Sequence, residues 1–187
     1  MINKKLLNIS ISAMLLAVGL ILPIFTGQIR QIGNMLLPMH IPVMLCGLLC
    51  GWQYGLGIGF IMPLMRSVIF GMPVMLPSAA AMSAELAAYG FLVGLIFSRF
   101  RNQNISSVYI SMICAMLGGR IVWGIAMTII MSASGNGSFT FEMFTAGAFL
   151  NALPGIILQL VLVPAIIAGL NKANLVQFKK ITTTGVK

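Results

Sequence analysis

The run LLNISISAMLLAVGLILPIF, Leu6 to Phe25, carries no charged residue. At about 20 residues it is long enough for a helix to cross the hydrocarbon core of a bilayer. It follows Lys4 and Lys5, as a secretory signal would, but a signal has a shorter apolar core and a small-residue cleavage site. This run ends in Pro23 and Phe25 instead. It reads as a membrane-spanning helix, and the rest of the chain repeats the pattern.

Of the 187 residues, 59% are hydrophobic and only 7% charged, with a mean hydropathy of +1.05. Soluble domains carry about 25% charged residues. A chain this poor in charge cannot clothe a surface in polar groups, which excludes a soluble domain, a disordered chain and a coiled coil. The remaining class is an all-α integral membrane protein.

Further apolar segments are Met35–Cys50, Gly55–Phe70, Ser78–Phe97, Ser107–Met131 and about Phe141–Leu170. Met35–Cys50 and Gly55–Phe70 are short for a crossing and contain prolines. They read as a helical hairpin with the tight connector Gly51-Trp52-Gln53-Tyr54. Gly71–Pro77 is an apolar loop expected to fold back over its neighbours. Ser98–Asn104 is a basic loop, and Ser132–Ser138 is rich in glycine and serine. The expectation is a single domain, residues 1–187, formed by a bundle of six transmembrane helices.

Eleven Lys and Arg face two acidic residues. Membrane proteins gather basic residues on the cytoplasmic side. With six spans and both termini cytoplasmic, the inner segments hold Lys4, Lys5, Arg99, Arg101, Lys172, Lys179, Lys180 and Lys187, whereas the outer loops hold only Arg30. That accounts for the charge without a nucleic-acid partner, and no stretch interleaves basic and aromatic residues as single-strand binding would need. Cys46, Cys50 and Cys114 all lie in apolar runs and read as buried small hydrophobes rather than disulfide or metal ligands.

Charged groups inside a bilayer are costly and need a partner or a role. The candidates are Arg66, Glu85 and Arg120, together with the sole histidine, His40, and with Asn151 and Gln159. At 1.5 Å per residue, Glu85 lies about 10 Å and Asn151 about 14 Å below the outer ends of their spans, and Arg120 lies near mid-membrane. Arg66 and His40 fall near outer helix ends, and Gln159 in the inner half. Polar groups from several segments thus converge on the outer half of the bundle, as for a cavity opening outward. Alternatives stay open for each. Arg66 and Glu85 are either a structural ion pair or ligand groups. Arg120, after Gly118-Gly119, either binds ligand or holds backbone carbonyls. His40, between Pro38 and Pro42, either caps irregular backbone or contacts ligand. Trp123 either stacks on ligand or packs in the core.

No catalytic constellation is present: the one histidine has no nucleophile in a motif beside it, and no glycine-rich phosphate loop leads into a lysine. The chain reads as neither an enzyme nor a cofactor or metal protein, and it cannot hydrolyse ATP by itself. Ala13 and Ala17 form a small-xxx-small pair in the first span, suited either to a partner helix or to internal packing. Gly55/Gly59 and Gly90/Gly94 share the spacing and are expected to pack internally.

Three features together resemble a known family. They are the alanine pair, the segment LPMHIPVMLCGLLCGWQYG (Leu37–Gly55) followed by PLMRSVIFGMP (Pro63–Pro73), and six spans with basic cytoplasmic ends. The chain resembles the S components, the substrate-binding subunits, of energy-coupling factor (ECF) vitamin transporters. The resemblance implies a multi-pass protein of the prokaryotic plasma membrane that binds a vitamin near the outer surface. It implies docking through the alanine face of the first helix on a transmembrane coupling protein driven by two cytosolic ATPases, with toppling to release substrate inside. It puts the ligand beneath Thr26–Asn34, Gly71–Pro77 and Ser132–Ser138. His40, Arg66, Glu85, Arg120, Trp123 and Asn151 are the candidate substrate-binding residues.

Arg66, Arg120 and Glu85 sum to one positive charge, which an anion would balance. Pantothenate suits that, and the segment around His40 resembles the pantothenate type. The alternative is a pyridoxine- or hydroxymethylpyrimidine-like ring bonded to Glu85 and stacked on Trp123. A stand-alone facilitator and a ligand-free structural subunit are the remaining readings.

Overall fold

The computed structural model describes residues 3–24, 36–134, 140–147 and 152–173. The elements in chain order are α1 (Lys4–Ile21), α2 (His40–Cys50), α3 (Trp52–Phe70), α4 (Ala80–Arg99), α5 (Ile105–Ala133), α6 (Phe141–Thr145) and α7 (Leu153–Lys172). No strand occurs among the described residues. Thr26–Asn34, Asn151, most of Ser132–Ser138 and most of the basic tail lie outside the described residues.

Among the described residues, five stretches are long and apolar enough to cross a membrane: Lys4–Ile24, Trp52–Phe70, Met75–Arg99, Ile105–Ala133 and Leu153–Lys172. The expected sixth, Met35–Cys50, is helical for only 11 residues of α2, a rise of about 16 Å. All but Leu49 of these residues are buried. A helix apolar on every face belongs in the middle of a bundle. The turn before it, at Leu37 to Met39, is also buried, with Leu37 at a φ of 48°. Irregular backbone is tolerated at membrane depth where protein encloses it. The expected four-residue connector shrinks to Gly51 alone: its φ of 99° breaks the helix, and Trp52 already begins α3. Gly71, at a φ of 69°, ends α3 in the left-handed conformation that spares glycine a steric penalty.

Side-chain caps open α1, α5 and α6. Asn3 accepts from Lys5 N at 3.1 Å, and Asn104 accepts from Ser107 N at 2.8 Å in a reciprocal box. The expected sixth span is interrupted. Thr140 caps the short α6, with Glu142 in its first turn, and the long helix α7 starts only at Leu153, with Pro154 in its first turn.

The middle of the bundle is α4, which packs against α2, α3 and α5. The contact is close because glycines face each other. A Cβ on Gly55 would stand 2.6 Å from the Gly90 carbonyl oxygen, and one on Gly94 would stand 2.6 Å from Trp52 N and 2.7 Å from Gly47 O. The glycine pairs of α3 and α4 thus pack inside the bundle, as their spacing suggested. Gly118 and Gly119 of α5 likewise make room for Leu92 and the Tyr89 ring.

α1 lies on α2 and α3 through Ser12, Leu15 and Gly19, with Ser12 Oγ 3.3 Å from Cys46 Sγ. The turn Met75–Ala79 rests on α3, α4 and α5, but Val74, Met75 and Leu76 stay exposed, so the apolar loop covers its neighbours only in part. Cys46 and Cys50 are buried, whereas Cys114 is exposed on α5, contrary to its reading as a buried residue.

Candidate functional site

The three intrahelical charges are sorted by the fold. Glu85 enters from α4, one and a half turns from Ala80, and Arg120 enters from α5. Their side chains are 2% and 6% exposed, and Arg120 Nη1 donates to Glu85 Oε1 at 2.8 Å. His40, fully buried at the first position of α2, holds Nε2 at 3.5 Å from the same oxygen. Its ring stands edge-on to Tyr89, with centroids 4.8 Å apart. Tyr89 lies one turn after Glu85 on α4, and its ring rests on Gly119, the residue before Arg120. Four helical residues from three helices therefore form one buried cluster.

Arg66 does not belong to that ion pair. Its Nη1 donates to the Leu20 carbonyl at 2.6 Å, and its guanidinium carbon stands 5.1 Å over the Phe70 ring. Leu20 is in the last turn of α1, where carbonyls lack helical partners and the helix dipole favours a cation. Arg66 thus ties the end of α1 to the end of α3. Among the described residues no carboxylate lies within 4.0 Å of it.

The cluster is under-satisfied. Among the described residues, His40 Nδ1 and Nε2, Arg120 Nε and Nη2, and both amide atoms of Gln159 are buried with no hydrogen-bond partner. Leaving a buried donor or acceptor unpaired costs about 1–3 kcal/mol. The two vacant arginine nitrogens have a specific chemistry: Nε and Nη2 form one edge of the guanidinium plane. That edge grips a carboxylate or phosphate through two parallel N–H···O bonds. Arg120 uses its third nitrogen for Glu85 and keeps this fork vacant.

Trp123, one turn beyond Arg120, stacks on Phe144 with centroids 6.2 Å apart and planes 28° from parallel. Phe144 belongs to α6 and sits against Gly124. Phe141 continues the aromatic series at 6.3 Å from Phe144. An apolar groove of about 480 Å³ runs beside them between α5 and α6, lined by Ile121, Ile125, Ile129 and Phe141 among others. It holds no charged group and is separate in chemistry from the Glu85 cluster.

The sequence-expected residues thus divide. His40, Glu85 and Arg120 come together, Trp123 lies one turn from Arg120 under an aromatic cover, and Arg66 caps α1. Asn151 lies outside the described residues. Tyr89 and Phe144 are additions that sequence reasoning missed. Gln159 is relocated. Counted from Phe141 it fell in the inner half, but α7 begins at Leu153, so Gln159 is only about 9 Å into its helix. That depth resembles that of Glu85, about 8 Å into α4. Ala13 and Ala17 are exposed, while Ser12, Leu15 and Gly19 face the bundle. Among the described residues, the alanine pair is thus exposed rather than turned into the bundle.

Among the described residues, no three His, Cys, Asp or Glu side chains gather as a metal site would require. No curated protein and no solved structure matches the chain. The family described as "ECF transporter, substrate-specific component" matches residues 7–167, from the second turn of α1 almost to the end of α7. Members are integral membrane subunits that select substrate for a transporter and are not enzymes, and this chain belongs to the ECF transporter substrate-specific component family.

Proposed function

We propose that the chain is the high-affinity binding subunit for a small carboxylate vitamin, pantothenate in particular, in an ATP-driven importer. The observation that carries this reading is the vacant Nε/Nη2 edge of Arg120, buried and already oriented by Glu85. A substrate carboxylate there makes two charge-assisted bonds. Since Arg66 is engaged at Leu20 and the Arg120–Glu85 pair is neutral by itself, the carboxylate is held by these two fork bonds rather than by a leftover charge. His40 Nε2 faces Glu85 at 3.5 Å, and Nδ1, without a hydrogen-bond partner among the described residues, can meet a hydroxyl; pantothenate carries hydroxyls and an amide beside its carboxylate. Arg66 contributes long-range charge, Trp123 the aromatic wall, and Asn151 a polar group at the entry to α7.

In this reading six segments traverse the bilayer, with α2 and its buried approach as the shortest. Both termini are cytoplasmic, in the plasma membrane, and the site opens outward. Ala13 and Ala17 dock on the transmembrane coupling protein, which two cytosolic ATPases drive. Support comes from the exposure of both alanines on a helix whose other side is packed. Family membership sets aside a stand-alone facilitator.

A second reading, a pyridoxine- or hydroxymethylpyrimidine-like ring against Trp123, draws on the Trp123–Phe144 stack. It is the weaker one because Glu85, the acceptor such a ring needs, is already engaged by Arg120 and His40.

The test is thermal stabilisation of the purified chain in detergent by pantothenate, pyridoxine, hydroxymethylpyrimidine, niacin, biotin, thiamine, riboflavin and folate. A ligand that binds only the folded state stabilises it by about 2.7 kcal/mol at one hundred times its dissociation constant. Pantothenate is expected to be the hit. A response to pyridoxine or hydroxymethylpyrimidine instead would establish the second reading.

A further inference from the structure

Gln159 was not among the residues assigned to the site, yet it is the most completely buried uncharged polar side chain without a partner. It is 0% exposed, and neither its Nε2 nor its Oε1 finds a hydrogen-bond partner. Its position is not incidental. Gly155, Gln159, Val163 and Ile167 are buried on α7 at four-residue spacing, so they form one stripe turned into the bundle. The elements that α7 meets include α2 and α5, which carry His40 and Arg120. Gln159 also lies about as deep into α7 as Glu85 lies into α4. A glutamine serving only to fill this stripe would be replaced at no cost by a leucine or methionine of similar volume, and would avoid two stranded polar atoms.

We infer that Gln159 is a ligand-reading residue, and that its amide recognises a substrate group that donates and accepts together, namely a secondary amide. This rests on the binding-subunit reading given above, and it adds a second recognition point. Arg120 takes the carboxylate end of the molecule, and Gln159 takes the amide. The glutamine amide carries both a donor and an acceptor, so it can meet either the N–H or the C=O of a trans secondary amide, whose two groups point to opposite sides. The pairing also makes Gln159 a selector: a ligand without that group leaves the glutamine stranded and is rejected for that reason.

The test uses the full-length chain in detergent, as wild type, Gln159→Met, Gln159→Ala and Arg120→Ala. Two quantities are read: the melting temperature without ligand, and the affinities for pantothenate and for pantothenol, its alcohol analogue that keeps the amide and lacks the carboxylate. The expected result is that Gln159→Met melts at or above the wild-type temperature without ligand and binds both compounds more than tenfold more weakly. Arg120→Ala should lose affinity for pantothenate by a larger factor than for pantothenol. A fall of several degrees in the ligand-free melting temperature of Gln159→Met would make the residue structural and overturn the inference. Wild-type affinity in Gln159→Met and Gln159→Ala would overturn it as well. If the wild type binds neither compound, the pantothenate reading fails separately. The inference then stands only if the vitamin that does bind carries a secondary amide and Gln159→Met keeps its ligand-free stability while losing its response to it; a tightly bound vitamin without that group overturns it.

Discussion

Arg120 and Glu85 lie 35 positions apart, on different helices, and meet through a 2.8 Å hydrogen bond in a buried layer shared with His40. Only one nitrogen of the guanidinium is spent on the carboxylate, and the remaining edge is vacant. The pair therefore does two things at once. It neutralises Glu85 in a low-dielectric interior, and in the function proposed above it holds a fork in a fixed direction for a substrate anion. A fork held by a partner loses little entropy on engaging a ligand, which favours tight binding.

Arg120→Ala is expected to weaken pantothenate binding more than tenfold, since a charge-assisted hydrogen bond contributes about 1.5–3 kcal/mol and ten-fold is about 1.4 kcal/mol. Arg120→Lys keeps the charge but not the fork, and should recover only part of the loss. Calorimetry on the purified variants decides the point. Lysine at this position binding as tightly as arginine would remove the bidentate argument.

Glu85→Gln should also weaken binding more than tenfold, because it frees Arg120 to rotate and strands its charge. Breaking one side of a buried ion pair costs about 3–5 kcal/mol, whereas removing both sides costs less. The double variant Glu85→Gln with Arg120→Gln should therefore melt above either single variant. A double-mutant cycle on melting temperature measures this coupling, and simple additivity of the two losses would deny it.

The glycine seam makes a sharp pair of predictions. Gly55→Ala would put a Cβ 2.6 Å from the Gly90 carbonyl oxygen and 2.8 Å from Gly47 Cα, so α3 must move away from α2 and α4. Overpacking of this kind costs about 1–3 kcal/mol, and the melting temperature should fall by several degrees. Gly57→Ala, two residues away on the same helix, meets nothing within 4 Å. It should be neutral or slightly stabilising, because alanine is the better helix former. Equal effects of the two substitutions in a thermal melt would contradict the helix packing described above.

The parts of this architecture that were legible in the sequence are those that depend on local composition. Apolar run length announced the long helices, and the Gly55/Gly59 and Gly90/Gly94 spacings announced close contacts inside the bundle. Pairing was not legible. Two arginines were available to Glu85, and nothing in spacing along the chain distinguishes Arg120 from Arg66. The choice follows from α4 and α5 lying side by side, while Arg66 is drawn to the bare carbonyl of Leu20 at the end of α1. Depth was misread where an apolar run was taken as one helix. Phe141 to Leu170 contains no polar break long enough to announce an interruption, and the informative signal was Pro154, a residue suited to the first turn of a helix. Reading it would have put Gln159 about 9 Å into its own helix from the start. The shortness of α2 was hinted at by Pro38 and Pro42, but its burial comes from the helices around it.

The last prediction concerns α1. Ala13 and Ala17 are exposed one turn apart, leaving a shallow face that lets another helix come close. Tryptophan at both positions would fill that face without touching Ser12, Leu15 or Gly19, which pack against the rest of the chain. Arg120 is carried by α5, far along the chain from that face. Ala13→Trp with Ala17→Trp should therefore abolish vitamin uptake in cells carrying the coupling protein and ATPases, and leave the purified chain's affinity for pantothenate within about twofold of wild type. Bulk alone is controlled by Ile125→Trp with Ile129→Trp, on an exposed face of α5 with the same spacing; that pair should leave uptake largely intact. Normal uptake by the alanine variant would mean that the partner docks elsewhere. Loss of binding together with uptake would mean that α1 supports the pocket itself, through the hold of Arg66 on Leu20.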